Sequence, residues 1–128
     1  MPTKILLIED DPFILKMYET KFALEKLEVR IADDGRKGFE ALEEFHPDIV
    51  LLDLMMPELD GFEVLTKVRS DPKWANLPVI VLSNISQEID RQRALDLGAS
   101  DYFIKTSLTP QQVVDRIKAV LKESAKQQ

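Results

Sequence analysis

The side chains in this chain that could do chemistry stand at the ends of short apolar runs. Asp53 closes Ile49-Val50-Leu51-Leu52, and the acids Glu9, Asp10 and Asp11 close Lys4-Ile5-Leu6-Leu7-Ile8. Ser83 ends Val79-Ile80-Val81-Leu82, and Lys105 follows Tyr102-Phe103-Ile104. Each run is too short for a helix, and the aliphatic ones read as strands buried on both faces. In an open sheet of parallel strands flanked by helices, the carboxyl ends of the strands form the rim where ligands bind. If these strands run parallel, the acids, the hydroxyl and the ammonium share that rim. Carboxylates gathered within a few ångströms repel one another, so either their pKa values rise or a cation joins them. A hard ion such as magnesium suits a site of carboxylates and carbonyls with no softer ligand. An aspartate beside such an ion, with a lysine and a hydroxyl near, is a set of parts for phosphoryl transfer onto the carboxylate. Being ionised already, Asp53 needs no general base. A phosphoryl group on it would replace one negative charge by about two and add acceptor oxygens to which Ser83 could donate.

Taken singly, each group has a plainer role. Asp53 could cap a strand or turn, and Asp11 before Pro12 has the chemistry of a helix N-cap with proline at the first helical position. Ser83 alone would be a strand-end hydroxyl, Lys105 a solvated cation, and Tyr102 a half-buried strand aromatic. For Asp53 the rest of the chain reverses that preference, whereas for Ser83 and Lys105 the residues alone leave the plainer role ahead.

The remaining pattern supplies the elements that must hold these groups. After Pro12 a helix is expected to bury Phe13, Ile14, Met17, Phe22 and Leu24. Val29-Arg30-Ile31-Ala32 alternates as a half-exposed edge strand and ends in the turn Asp33-Asp34-Gly35. Gly38, Phe39, Ala41, Leu42 and Phe45 mark an amphipathic helix that His46-Pro47 terminates. Beyond Asp53, Pro57 and Asp60-Gly61 give turn chemistry before a third helix carrying Phe62, Val64, Leu65 and Val68, which Ser70-Asp71-Pro72 stops. Trp74 reads as a packing anchor in the following loop. A fourth helix opens around Ser86, Glu88 and Ile89 with a sparse apolar set, namely Ile89, Ala94, Leu95 and Leu97, and Gly98 is its C-cap. Thr109-Pro110-Gln111-Gln112 combines an N-cap, a first-turn proline and a capping-box glutamine. The last helix then presents Val113, Val114, Ile117, Val120 and Leu121. Five strands alternating with five helices predict an α/β sandwich with a mostly parallel sheet and right-handed crossovers. Periodicity does not give the strand order.

Composition narrows the function classes. A chain of 128 residues without cysteine makes one domain and excludes disulfides, thiolate metal sites and a cysteine nucleophile. The single His46 has no second histidine with which to share a metal. The net charge of -6, with Lys and Arg scattered, argues against a nucleic-acid partner. Neither a signal peptide nor an uncharged apolar run of roughly 20 residues is present, which points to a cytoplasmic protein without membrane insertion.

From Lys4 to Leu121 the chain resembles the receiver domain of response regulators, the CheY-like superfamily. The resemblance rests on Ile8-Glu9-Asp10-Asp11, on Asp53-Leu54-Met55-Met56-Pro57 with Asp60-Gly61, on Val81-Leu82-Ser83, and on Gly98-Ala99-Ser100-Asp101-Tyr102 leading to Lys105. It implies a five-stranded parallel sheet in the order 2-1-3-4-5 within a doubly wound three-layer sandwich. Asp53 then matches the phosphoacceptor. Asp10, Asp53 and the Met55 carbonyl match the ligands of magnesium, for which manganese could substitute, and Glu9 acts through water. Ser83 matches the switch hydroxyl, Lys105 the lysine that meets the phosphoryl group, and Tyr102 the aromatic that changes rotamer between states. Phosphorylation is expected to change the face formed by the fourth helix, fifth strand and fifth helix. The partners implied are a histidine kinase or histidine phosphotransfer protein upstream and a protein target downstream, and a phosphorylation-dependent homodimer stays open. Residues 1–123 are expected to form the receiver domain and 124–128 a short tail, with no output domain.

Two departures from the family pattern bear on kinetics. Thr106 follows Lys105 where the family usually has a cis proline, and Asn84 stands where alanine or glycine is common, crowding the phosphoryl site. Met55 and Ile85 are apolar where some members carry polar groups that help water attack, so a comparatively long-lived acyl phosphate is expected. Two other classes use similar parts. A pseudo-receiver would bind partners without being phosphorylated. An aspartyl phosphohydrolase would want a second aspartate two residues after Asp53, where Met55 stands.

Overall fold

A computed structural model describes residues 2–54, 61–84, 87–105 and 107–126, with the side chains of 125 and 126 left out. The elements alternate along the chain: β1 (Lys4–Ile8), α1 (Pro12–Leu24), β2 (Glu28–Ala32), α2 (Gly35–Phe45), β3 (Ile49–Leu52), α3 (Gly61–Ser70), β4 (Val79–Ser83), α4 (Glu88–Asp96), β5 (Asp101–Ile104) and α5 (Pro110–Lys126). A 3-10 turn at Pro72–Trp74 joins α3 to β4. All four strand pairings are parallel, in the order β2-β1-β3-β4-β5.

The aliphatic runs fold as their composition requires. In β1, β3 and β4 almost every side chain is buried, because helices seal both faces of the sheet. Two apolar cores result. One gathers Leu6, Ile8, Leu42, Leu52, Leu65 and Val81 under α2, α3 and α4, and the other gathers Ile5, Leu7, Phe22, Leu51, Ile80 and Ile117 under α1 and α5. The edge strand β2 is only partly covered, as its alternation predicts.

Helix ends follow local chemistry. Asp11 caps α1, its carboxylate accepting from Phe13 N at 2.9 Å with Pro12 at the first turn. Asp34 caps α2, and the left-handed His46 (φ 52°) ends it. At α5 the capping box is reciprocal: Gln112 N donates to Thr109 Oγ1 at 3.2 Å and Thr109 N to Gln112 Oε1 at 2.8 Å.

Two helical faces differ from the sequence expectation. Along α1 the buried residues are Tyr18 and Phe22, while Phe13 and Leu24 are 77% and 76% exposed. The sheet-facing stripe runs through positions 14, 18 and 22, which rotates 13 and 24 outward. In α4 only Ala94 is buried, and Ile89 is 75% exposed.

Candidate functional site

Backbone pairing carries the sheet one residue past the strand ends. Glu9 N donates to Ala32 O at 3.0 Å, Asp53 N to Ile8 O at 2.9 Å, and Lys105 N to Ser83 O at 2.7 Å. Ser83 is the last residue of β4 and lies in register with Ile104. Each candidate side chain therefore springs from a fixed main chain, and all lie on one rim.

Their side chains converge. Lys105 Nζ sits 2.6 Å from Glu9 Oε1 and 3.4 Å from Asp53 Oδ1. Oxygens of Glu9, Asp10 and Asp53 all lie within 4.8 Å of one another, Asp10 being the most open of the three. Glu9, Asp53 and Ser83 are 1%, 4% and 0% exposed, a degree of burial that charged residues tolerate only with partners. A cleft of about 500 Å³ opens above them, lined by Asp10, Asp11, Pro12, Asp53, Asn84 and Lys105. Tyr102 is buried, with its hydroxyl in hydrogen-bonding reach of Ser83. The residues singled out in sequence are thus together, except Met55 and Thr106, which with Ile85 and Ser86 lie outside the described residues.

The electrostatics suit a cation. Burial first, and the neighbouring Asp53 carboxylate next, push the Glu9 carboxyl up to about 8, although Lys105 works against this. Burial pulls on Lys105 in the opposite direction, but its bonds to Glu9 and Asp53 prevail and hold the ammonium above its ordinary value. One lysine does not neutralise three acids. Glu9 Oε2 is buried without a hydrogen-bond partner among the described residues, an arrangement that costs energy unless a proton or cation meets it. Three oxygen donors around one point, one of them orphaned, fit a magnesium-type ion.

Some contributors are invisible in the side-chain pattern. Pro12 reads in sequence only as a helix start, yet it lines the cleft. Gly61 reads as a turn residue, yet a Cβ there would lie 2.5 Å from Asp53 O and 2.6 Å from Leu54 Cα. Only glycine lets α3 begin against the backbone of Asp53. Tyr18 is a third: burial first and the Glu9 charge second push its phenol up to about 12.

Residues 5–118 match the model of the response regulator receiver domain family. The chain belongs to that family. Receiver domains are signalling domains of two-component systems, and they interact with histidine kinases and with downstream effectors. Among relatives, the probable transcriptional regulator ycf27 of Guillardia theta is 36% identical over 123 residues, 96% of this chain and 47% of that protein. The DNA-binding dual master transcriptional regulator RpaA of Synechocystis sp. is 34% identical over 121 residues, covering 94% of this chain and 50% of that one. This receiver domain therefore spans about half the length of the curated relatives it matches. In structure it resembles a CheY-like receiver domain protein from Methanospirillum hungatei, with a TM-score of 0.91, 25% identity and 100% coverage of both chains. Among the described residues no helix is long and apolar enough to cross a membrane.

Proposed function

We propose that this receiver domain is a phosphorylation switch in which Asp53 accepts a phosphoryl group from a phosphohistidine of a kinase or phosphotransfer protein. The single observation that carries this reading is Lys105 Nζ bridging Glu9 and Asp53 at the mouth of an open acidic cleft. In the transfer, an Asp53 carboxylate oxygen bonds to phosphorus as the P–N bond breaks, and the imidazole leaves with the electron pair. Lys105 then meets charge on the phosphoryl oxygens, and Ser83 donates a hydrogen bond to them. Asp10 and Asp53, with Glu9 through water and the Met55 carbonyl, would hold the magnesium ion. Bound there, the ion supplies positive charge opposite the phosphoryl oxygens.

Binding of Ser83 to the new oxygens favours the conformer in which Tyr102 is turned inward, and the face of α4, β5 and α5 changes with it. Residues 1–123 act as one receiver unit, in the cytoplasm. The weak anchoring of α4 supports its part in the readout. The test is to incubate the protein with a small acyl phosphate and magnesium and weigh it intact. A gain of one phosphoryl group, absent from Asp53→Asn, is expected. Repeated turnover would instead indicate a phosphohydrolase, and no gain a phosphorylation-independent interaction module.

A further inference from the structure

Beyond the Ser83 and Tyr102 pair, a second physical connection joins the Asp53 pocket to α4. It starts at Gly61, whose amide donates to Leu54 O at 2.9 Å and whose Cα lies against the Asp53 carbonyl. The next residue, Phe62, is 7% exposed, and the Arg93 guanidinium of α4 lies 4.0 Å from the centroid of its ring. A cation this close to a ring face is attracted by the ring quadrupole. Among the described residues, few other contacts hold this helix. Ala94 is its only buried side chain, its first residue has no side-chain cap, and its far end is tied to α3 by Arg69 Nε donating to Gly98 O at 2.9 Å. Phe62 therefore follows directly on the glycine packed against Asp53 and stacks on a cation of the helix that has little else to hold it.

We propose that the stacking of Arg93 on Phe62 is a latch that couples the state of the Asp53 pocket to the position of α4. The latch deepens the switch proposed above and rests on that reading for its biological meaning. Any displacement of the backbone at Asp53 and Leu54 moves Gly61, because no space separates them, and Phe62 moves with it. Whatever moves Phe62 changes the stack. By linkage the coupling acts equally in both directions, so loosening the stack from the α4 side must be felt at the pocket.

The experiment uses the intact chain and Arg93→Gln, a change at an exposed position that leaves the core whole. Amide exchange followed by NMR reads α4 and, separately, the Gly61 amide bonded to Leu54. Both are expected to quicken, by roughly two- to fivefold, the range of an exposed cation–π contact. Faster exchange in α4 with an unchanged Gly61 amide would reduce the stack to local packing and overturn the latch, and no change at either place would do the same. Arg93→Lys, which keeps a cation over the ring, should restore both in part. Beryllofluoride with magnesium, titrated against both proteins, should bind with affinities that differ by the same factor. Failure of the unsubstituted protein to bind it would count against phosphorylation at Asp53, whereas the Gly61 result judges the latch by itself.

Discussion

Glu9 holds a carboxyl pushed up to about 8 from an ordinary 4.5, so between those values the folded chain keeps a proton that the unfolded chain has lost. Stability must then fall as pH climbs through that window, the reverse of a salt-bridged acid with a depressed pKa. Lys105, held above its ordinary value, keeps its contribution throughout the window and loses it only at higher pH. Thermal denaturation in chelator from about pH 5 to 8 should show a falling Tm that Glu9→Gln flattens. Magnesium should bind more tightly as pH rises, since it competes with that proton. Under the proposed switch, the neighbouring Asn84 acts on a rate instead of an equilibrium. Its side chain lines the cleft over Asp53, and Asn84→Ala should shorten the lifetime of the phosphorylated protein severalfold, read by intact mass against time. The convergence of Asp53, Ser83 and Lys105 on one rim is legible because each ends an apolar run. Pro12 and Gly61 are not, since backbone proximity across a loop leaves no trace in side-chain spacing.

Among the elements, α1 and α4 show where sequence patterns lose their hold. Helical spacing along α1 offers two apolar stripes, and the one through Tyr18 and Phe22 wins because it meets Ile5, Leu7 and Ile80 on the sheet. Tyr18 gives little signal as a core residue, its hydroxyl marking it as polar. In α4 the charged composition does predict weak attachment, and the structure leaves its C-terminal end to glycine and arginine chemistry. Gly98 has φ +106°, and a Cβ there would lie 2.8 Å from Arg69 Cγ and Nε. Gly98→Ala should therefore cost about 1–2 kcal/mol in urea denaturation, combining left-handed strain with displacement of Arg69. Arg69 spends its charge on carbonyls, those of Gly98 and Trp74, and burial lowers its pKa. Loss of that fork should speed exchange at the α4 C-terminus before any other helix.

At the scale of the whole molecule, one sheet separates two cores that share its strands, so neither can melt alone. Leu65→Ala in one and Ile117→Ala in the other should each cost about 2–5 kcal/mol and leave a single calorimetric transition. Two transitions would show that the layers unfold independently. The strand count and the buried character of β1, β3 and β4 are legible in the runs themselves, whereas the order β2-β1-β3-β4-β5 is not, because hydrophobic period says which faces are covered and nothing about which strand is neighbour to which. The sealing of that sheet has an evolutionary consequence. With Ile5, Leu6, Ile49, Leu51, Ile80 and Val81 each at 0% exposure, hardly a mutation inside it is neutral. Substitutions that change volume should therefore be tolerated mainly on the outer helical surfaces, so a new docking face can be written there without disturbing the strand ends that hold Asp53 and Lys105.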